Sequence, residues 1–437
     1  MSRFIVAGAG HGGLVCAAKL AEKGHKVTVF EKEKEENLGH DWEDRFTFSL
    51  LEKAIGMPEN ELDKNIWRYR GDCAFVSPAK RKKVIIRYND ENRQRIMQRK
   101  PLIKMLVENA KNAGVEFCFG CEVISPIIKN NEVIGIETEN GEERCDCVID
   151  AAGVFSPLRT KLPDNFNIEK YPKYGDVFYA WRAYFNRKTE YEMPDVPFEV
   201  YLYHEGEQGL SWCCTNDDSV DILIGRIYEI DDKKVNEQLE IFRDNHPWLG
   251  DEIIHGGKYG VIPVRRPLTL MVADRYACVG DSAFMTTPMN GMGIDLSIEA
   301  GLLLAETLIS DKSGKYLKET LWEYNKKFHI LFGGDTAKNE GLKNSLLSIP
   351  GVGVDFLFEN DVIQSSDLAG AGKNMNFKAL MGKFVRGMRN PKYFFAIING
   401  LIKGSAASSL YKKPPEKFNM AEIEKWSAAI AKKDIKY

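Results

Sequence analysis

The sequence predicts an α/β fold in which a parallel, doubly wound sheet is interleaved with an antiparallel sheet, ahead of a helical C-terminal region. Three observations predict it. Residues 3–31 read strand, glycine turn, helix, strand, acid. From about residue 165 to 265 the pattern changes to aromatic-rich strands separated by polar turns. After Leu268 the first style returns, as short apolar strands leading through a glycine-rich turn into a long helix.

Arg3-Phe4-Ile5-Val6-Ala7 is an apolar strand that runs directly into Gly8-Ala9-Gly10-His11-Gly12-Gly13. Leu14, Ala17, Ala18 and Ala21 give residues 14–23 helical spacing, which Gly24 stops. Residues 26–30 are a second strand, and Glu31 stands 31 − 8 = 23 residues after the first glycine. Gly8 permits a tight turn, Gly10 lets backbone N–H groups approach a pyrophosphate, and Gly13 lets the helix pack close to the strand. A carboxylate at Glu31 can accept both hydroxyls of an adenosine ribose. The unit predicts a bound dinucleotide.

Charged residues 32–37 lead into Leu38-Gly39-His40-Asp41-Trp42-Glu43-Asp44-Arg45. That stretch reads equally as a solvated loop or as a cofactor loop, with Arg45 on phosphate or ribose and His40 or Asp41 near substrate. Residues 66–98 alternate like strands, and Pro101 suits the first turn of a helix with Leu102, Met105, Leu106 and Ala110 inward. Residues 115–119 and 133–137 are further strands, and residues 147–150 form a buried strand running into Ala151-Ala152-Gly153. Residues 178–185, 198–203, 210–214 and 220–227 form the antiparallel set, followed by an amphipathic helix over 235–245. Gly280-Asp281 and Pro288 to Asp295 then precede a long helix. A glycine-rich helix start offers unpaired N–H groups to an anion or carbonyl oxygen, and Asp281 can accept a sugar or ribityl hydroxyl. The predicted domains are 1–65, 95–163 and 266–330 for the cofactor, 66–94 and 164–265 for the substrate, and 331–437 as the helical region.

Composition removes several function classes. At 437 residues, 44% hydrophobic, 28% charged and net charge −3, the chain is an ordinary globular protein with no electrostatic case for nucleic acid. Its nine cysteines lack a disulfide or metal pattern, and Cys118-x-x-Cys121 falls at a strand, where buried thiols are expected. Free thiols and the absence of a leader before the first strand point to the cytoplasm. The ten-residue, mostly apolar run from Tyr393 to Ile402 is too short to span a bilayer; it predicts a buried helix, with peripheral membrane contact as the alternative.

These motifs together resemble FAD-dependent oxidoreductases of the p-hydroxybenzoate hydroxylase fold, and within them the geranylgeranyl reductase branch. The resemblance rests on Gly8-x-Gly10-x-x-Gly13 with Glu31, on Ala152-Gly153 with Ser156 and Arg159, and on Gly280-Asp281 with Pro288 to Ile294. It implies FAD as cofactor and a Rossmann-like FAD-binding domain. It further implies that Gly8, Gly10, Gly12, Gly13, Glu31, Lys32 and Val123 meet the ADP portion, with Arg99 near the phosphates; Arg45 stays a candidate for phosphate or ribose. Gly153, Asp281, Gly291, Met292, Gly293 and Ile294 would meet the ribityl chain and flavin ring. The family motif usually ends in Asp-Gly; Ala152 in place of that aspartate argues against direct NAD(P)H use and leaves a ferredoxin-type donor as the other candidate.

The expected activity is hydride transfer at flavin N5 to an apolar unsaturated small molecule or isoprenoid-type lipid, with a flavin-dependent aromatic monooxygenase as the alternative. Trp181, Tyr201, Tyr203 and Trp212 are candidate pocket walls, and His40, Asp41 and His204 candidate proton donors. No catalytic residue, metal site or oligomeric state is named by the sequence.

Overall fold

The computed structural model describes residues 1–90, 93–368 and 377–435, with side chains of 377–380 left aside. Residues 369–376 and 436–437 of the predicted helical region, and 91–92 of the predicted substrate lobe, lie outside the described residues. The first sheet has the order Val272–Ala273, Tyr276–Cys278, Cys147–Asp150, Arg3–Ala7, Lys26–Glu31, Glu116–Phe119. Its strands are parallel apart from the hairpin at Val272–Ala273. Arg3–Ala7 is the central strand, with Val6 opposite both Val29 and Ile149. Buried on both faces, it reads as one apolar run rather than an alternation.

Helix His11–Glu22 crosses helix Ile294–Ser310 at two glycines. A Cβ on Gly301 would run into the carbonyl of Gly12, and one on Gly12 would run into the carbonyl of Ser297 and lie 2.7 Å from Val279 Cγ2. The predicted helix start at Leu14 is therefore late; the helix begins inside the glycine turn, at His11.

The second sheet has seven strands, in the order Leu249–Pro263, Val177–Arg187, Ser219–Arg226, Gly209–Thr215, Phe198–Leu202, Cys73–Val76, Lys83–Ile86. It is antiparallel except where Phe198–Leu202 meets Cys73–Val76. Trp67–Tyr69 instead joins Arg95–Gln98 and Glu43–Arg45 in a small sheet between the two large ones. Helix Asp232–Asn245, capped by Asp231 on Lys234 N at 2.9 Å, covers the outer face of the seven-stranded sheet.

The C-terminal region is helical: Gly334–Leu347, Gly351–Glu359, Phe377–Gly387, Pro391–Tyr411 and Met420–Ala431. Gly334–Leu347 and Pro391–Tyr411 approach closely because a Cβ on Gly341 would lie 2.6 Å from the carbonyl of Gly400. No helix among the described residues is long and apolar enough to cross a membrane.

Candidate functional site

The C-terminal ends of the parallel strands carry two turns that face one another. In the first, Gly8 has φ +91°, and a Cβ there would sit 2.5 Å from the carbonyl of Ala151. Any other residue is excluded by backbone conformation and by space together. Gly13 packs against Ala151 and Val6. Glu31 ends its strand with one carboxylate oxygen accepting from Ala9 N at 2.7 Å and the other from Glu33 N at 2.8 Å. These bonds hold the carboxylate beside the turn, and each oxygen keeps a lone pair for a further donor. Cys121 N donates to the Glu31 carbonyl at 2.9 Å, which brings buried Val123 alongside; Lys32 is exposed.

The second turn is tied to the strand exit at Asp150. The buried Asp150 carboxylate accepts from Ser156 Oγ at 2.6 Å, Ser282 Oγ at 2.9 Å and Tyr276 Oη at 2.6 Å. Ser282 Oγ in turn accepts from Gly153 N at 3.0 Å. Arg159 donates to the carbonyls of Ser282 and Val154. Ser156 and Arg159 thus knit the Ala152-Gly153 and Gly280–Ala283 turns together from behind.

The Asp281 carboxylate makes no hydrogen bond or ion pair with any described residue, while the Asp281 carbonyl accepts from Phe284 N at 3.1 Å. Burial pushes its carboxyl up to about 6, with Arg99 pulling the other way. Gly293 caps helix Ile294–Ser310 with no side-chain hydrogen bond, so the first-turn N–H groups keep no side-chain acceptor.

A cavity of about 350 Å³ joins these parts. Of the expected site residues, Gly10, Gly12, Arg45, Arg99, Gly153, Asp281, Gly291, Met292, Gly293 and Ile294 line it. Gly8, Gly13, Glu31, Lys32 and Val123 do not; the first two act through packing, and the last three sit around the outer end of the first turn. At the other end the wall is apolar, with Leu202, Leu223 and Ile227 from the seven-stranded sheet and Leu346, Leu347 and Val354 from the C-terminal helices.

Strand alternation sorts the aromatic candidates. Tyr203 and Trp212 line the cavity. Trp181 and Tyr201 point to the opposite face, where they pack under helix Asp232–Asn245 with Phe242, because neighbouring residues of a strand face opposite ways. Tyr203, two residues after Tyr201, reaches the cavity because it lies past the end of strand Phe198–Leu202, where φ +48° breaks the alternation. His204 lines a separate cavity on that outer face, and burial lowers it to about 3. Asp41 is turned outward onto Lys100 at 3.0 Å. His40 does line the cavity, stacked on Trp42 with ring centroids 4.5 Å apart. The 38–45 stretch contributes His40, Trp42, Asp44 and Arg45 to the cavity wall.

Among the titratable residues of the cavity, sequence reasoning missed four: His11, Asp44, Arg182 and Lys343. Arg182 is buried, donates twice to Asp221 at 2.8 and 2.7 Å, and reaches Asp44 at 3.1 Å. Asp44 also pairs with Arg99 Nε at 3.1 Å. Burial alone would raise Asp44, but Arg99, Arg182 and Arg70 hold it below its usual value. A lone charge in the interior of strand Val177–Arg187 was the available signal, and only for Arg182. The others are set by packing.

These features fit a dinucleotide with a reactive ring. His11 Nε2 and Trp42 Nε1 are buried without a partner, Asp281 is an unpaired acceptor, and Arg45 and Arg99 supply positive charge between the turns. The family model for the FAD binding domain matches residues 2–330. The chain belongs to this FAD-binding family.

The flavoprotein is 25% identical over 322 residues to a digeranylgeranylglycerophospholipid reductase of Haloferax volcanii, covering 69% of this chain and 74% of the relative. A geranylgeranyl bacteriochlorophyll reductase-like protein of Thermoplasma acidophilum superimposes with TM-score 0.72 at 19% identity, over 91% of this chain and 99% of that one. The myxobacterial FAD-dependent halogenase CndH superimposes at 0.59 and 16% identity, over 98% and 97%. The flavoprotein has the p-hydroxybenzoate hydroxylase-type fold with a helical C-terminal region, and it is an FAD-dependent oxidoreductase. Halogenases share the fold, so the fold does not select the reaction.

One substitution tests the cofactor turn of the flavoprotein. Gly12→Ala places a Cβ against the carbonyl of Ser297 and should cost about 1–3 kcal/mol of stability by overpacking. The purified variant is expected to lose bound flavin, read as the ratio of flavin to protein absorbance.

Proposed function

We propose that this flavoprotein is a reductase that saturates carbon–carbon double bonds of an apolar, isoprenoid-type lipid in the cytoplasm. The observation that carries this reading is the single cavity that runs from the two glycine turns to an apolar end closed by Leu202, Leu223, Ile227, Leu346 and Val354. The nine free cysteines suit a reducing compartment.

FAD, when bound and reduced, supplies the hydride. The chain does the rest. Glu31 and Asp281 would accept ribose and ribityl hydroxyls, and the Gly10–Gly12 amides with Arg45 and Arg99 would neutralise the pyrophosphate. The start of helix Ile294–Ser310 would stabilise negative charge on the ring. The apolar wall excludes water from the double bond.

A proton must also reach the substrate carbon. His11, lowered to about 3, and His40, lowered to about 4, are neutral at pH 7; burial is the main cause in both, with Arg99 adding to it. Lys343 lines the cavity and holds its proton at neutral pH. Burial lowers it to about 8 against the pull of Glu340 and Asp176, while its ammonium donates to the carbonyls of Gly175 and Val264 at 2.7 Å each. Lys343 is the proton donor in this reading. Turnover should therefore fall as pH rises through about 8, and Lys343→Met should lose at least about tenfold in turnover while its flavin is still reduced normally.

The deciding experiment mixes anaerobic, dithionite-reduced holoenzyme with a geranylgeranyl lipid. A mass gain of two hydrogens per double bond, with reoxidation of the flavin, is expected. Oxygen incorporated into an aromatic substrate in air, with no anaerobic reoxidation by the lipid, would replace this reading with the monooxygenase one.

A further inference from the structure

The exposed apolar side chains of the C-terminal region are arranged on helical faces rather than scattered. Met381, Phe384, Val385 and Met388 follow i, i+3, i+4, i+7 spacing on and just beyond helix Phe377–Gly387. Phe395 and Ile402 repeat at i, i+7 on helix Pro391–Tyr411, whose opposite face (Phe394, Ile397, Gly400, Gly404) is buried. Val385 and Ile402 expose 64% and 63% of their surface.

Charge singles out the same stretch. Residues 369–415 contain nine Lys and Arg and no Asp or Glu, in a chain whose net charge is −3. Lys383 pairs with Asp367 from outside the stretch. Arg386 and Arg389 instead reach neutral oxygens, the Asp361 carbonyl at 3.0 Å and Asn360 Oδ1 at 3.2 Å, and Arg386 Nε is buried with no partner. Apolar side chains flanked by the unneutralised Arg386 and Arg389 match the chemistry of an anionic bilayer surface, where the headgroups meet the cations and the acyl boundary meets the side chains.

The surface adjoins the apolar end of the cavity. Phe394 and Ile397 share one hydrophobic cluster with the cavity residues Tyr203, Ile227, Leu347 and Val354. Tyr393 packs on Gly353, next to Val354, and Phe384 packs edge-on to Phe394 with centroids 5.8 Å apart.

We propose that helix Phe377–Gly387 and the N-terminal half of helix Pro391–Tyr411 dock on an anionic lipid bilayer beside the apolar end of the cavity. Docking rests on this surface alone; its use, passage of an apolar substrate from the bilayer, rests on the reductase reading.

The test sediments full-length holoenzyme with vesicles of phosphatidylcholine alone or with phosphatidylglycerol added. Binding to the anionic vesicles is expected, weaker at high salt. It should fall at least about tenfold in Val385→Asp/Ile402→Asp and in Arg386→Gln/Arg389→Gln. Both variants should keep their flavin and their turnover of a detergent-dispersed substrate. If the bilayer proposal fails and turnover persists, the reductase reading stands; if binding persists without turnover, only that reading falls. Equal binding of the variants, or binding indifferent to anionic lipid, overturns the proposal. So does a wild-type dimer that Val385→Asp dissociates without any vesicle binding, or capture of an acidic protein in place of vesicles.

Discussion

Arg182→Ala is expected to destabilise the folded protein by about 3–5 kcal/mol, the cost of leaving a buried charge uncompensated. The guanidinium is 1% exposed and Asp221, its bidentate partner, 2%. It also donates to Asp44 and to the Glu43 carbonyl at 2.8 Å, so it holds the central small sheet against the seven-stranded one. Truncation strands Asp221 in an apolar sheet where no other described arginine or lysine reaches it by an ion pair. The control is Arg182→Met with Asp221→Leu, which removes both charges and should recover most of the loss. Urea unfolding of the holoenzyme measures both. A single variant within about 1 kcal/mol of wild type would mean that the network contributes little. Because Asp44 also orients Arg99, the double variant should still bind FAD less tightly than wild type.

Asp281→Asn should move stability and cofactor affinity in opposite directions. The folded-state carboxyl titrates at about 6, raised by burial above the ordinary 3.8. Below pH 3.8 it is neutral whether folded or unfolded, and it costs nothing. Between pH 3.8 and about 6 the folded apoprotein keeps a proton that the unfolded chain has lost, and above about 6 it ionises a buried group. The penalty grows to about 3 kcal/mol, at 1.36 kcal/mol for each pH unit between the two pKa values. Asparagine removes it. Apo Asp281→Asn should melt higher than wild-type apoprotein at pH 8 and equally at pH 4, by scanning calorimetry. FAD affinity should meanwhile fall at least about tenfold, because a charge-assisted acceptor becomes a neutral one. A variant that melts lower at pH 8, or that binds FAD as tightly as wild type, would contradict the account of Asp281 as a group held unpaired for the cofactor.

The legible parts of the site were those whose chemistry is local. Gly8 and Gly10 are demanded by a turn of six residues, and Asp281 sits three residues past strand Tyr276–Cys278. The Gly291–Ile294 segment precedes helical spacing that continues to Leu308. The 38–45 loop carried an undecided reading because its density of charges suits either solvent or a cofactor. What brings it to the cavity wall is Trp42 and Asp44 packing under Arg182, a residue 138 positions away from Asp44. Lys343 was unreadable for a similar reason. It sits in a glycine- and lysine-rich helical region with no motif, and only the packing of helix Gly334–Leu347 against the Gly175 and Val264 carbonyls buries it.

The opening strand, turn, helix, strand and acid by themselves determined that a dinucleotide binds, because φ > 0 and close approach to a phosphate are properties of single residues. Asp281 and the glycine-rich helix start extended that ligand to FAD. Tertiary structure alone decided which face of each strand meets the cavity. A period of two presents two faces of equal regularity, so Trp181 and Arg182 differ only in which way the sheet is packed. Tertiary structure also decided that the C-terminal helices close the apolar end, since Leu346 and Val354 reach the sheet residues Leu202 and Ile227 only when the chain is folded.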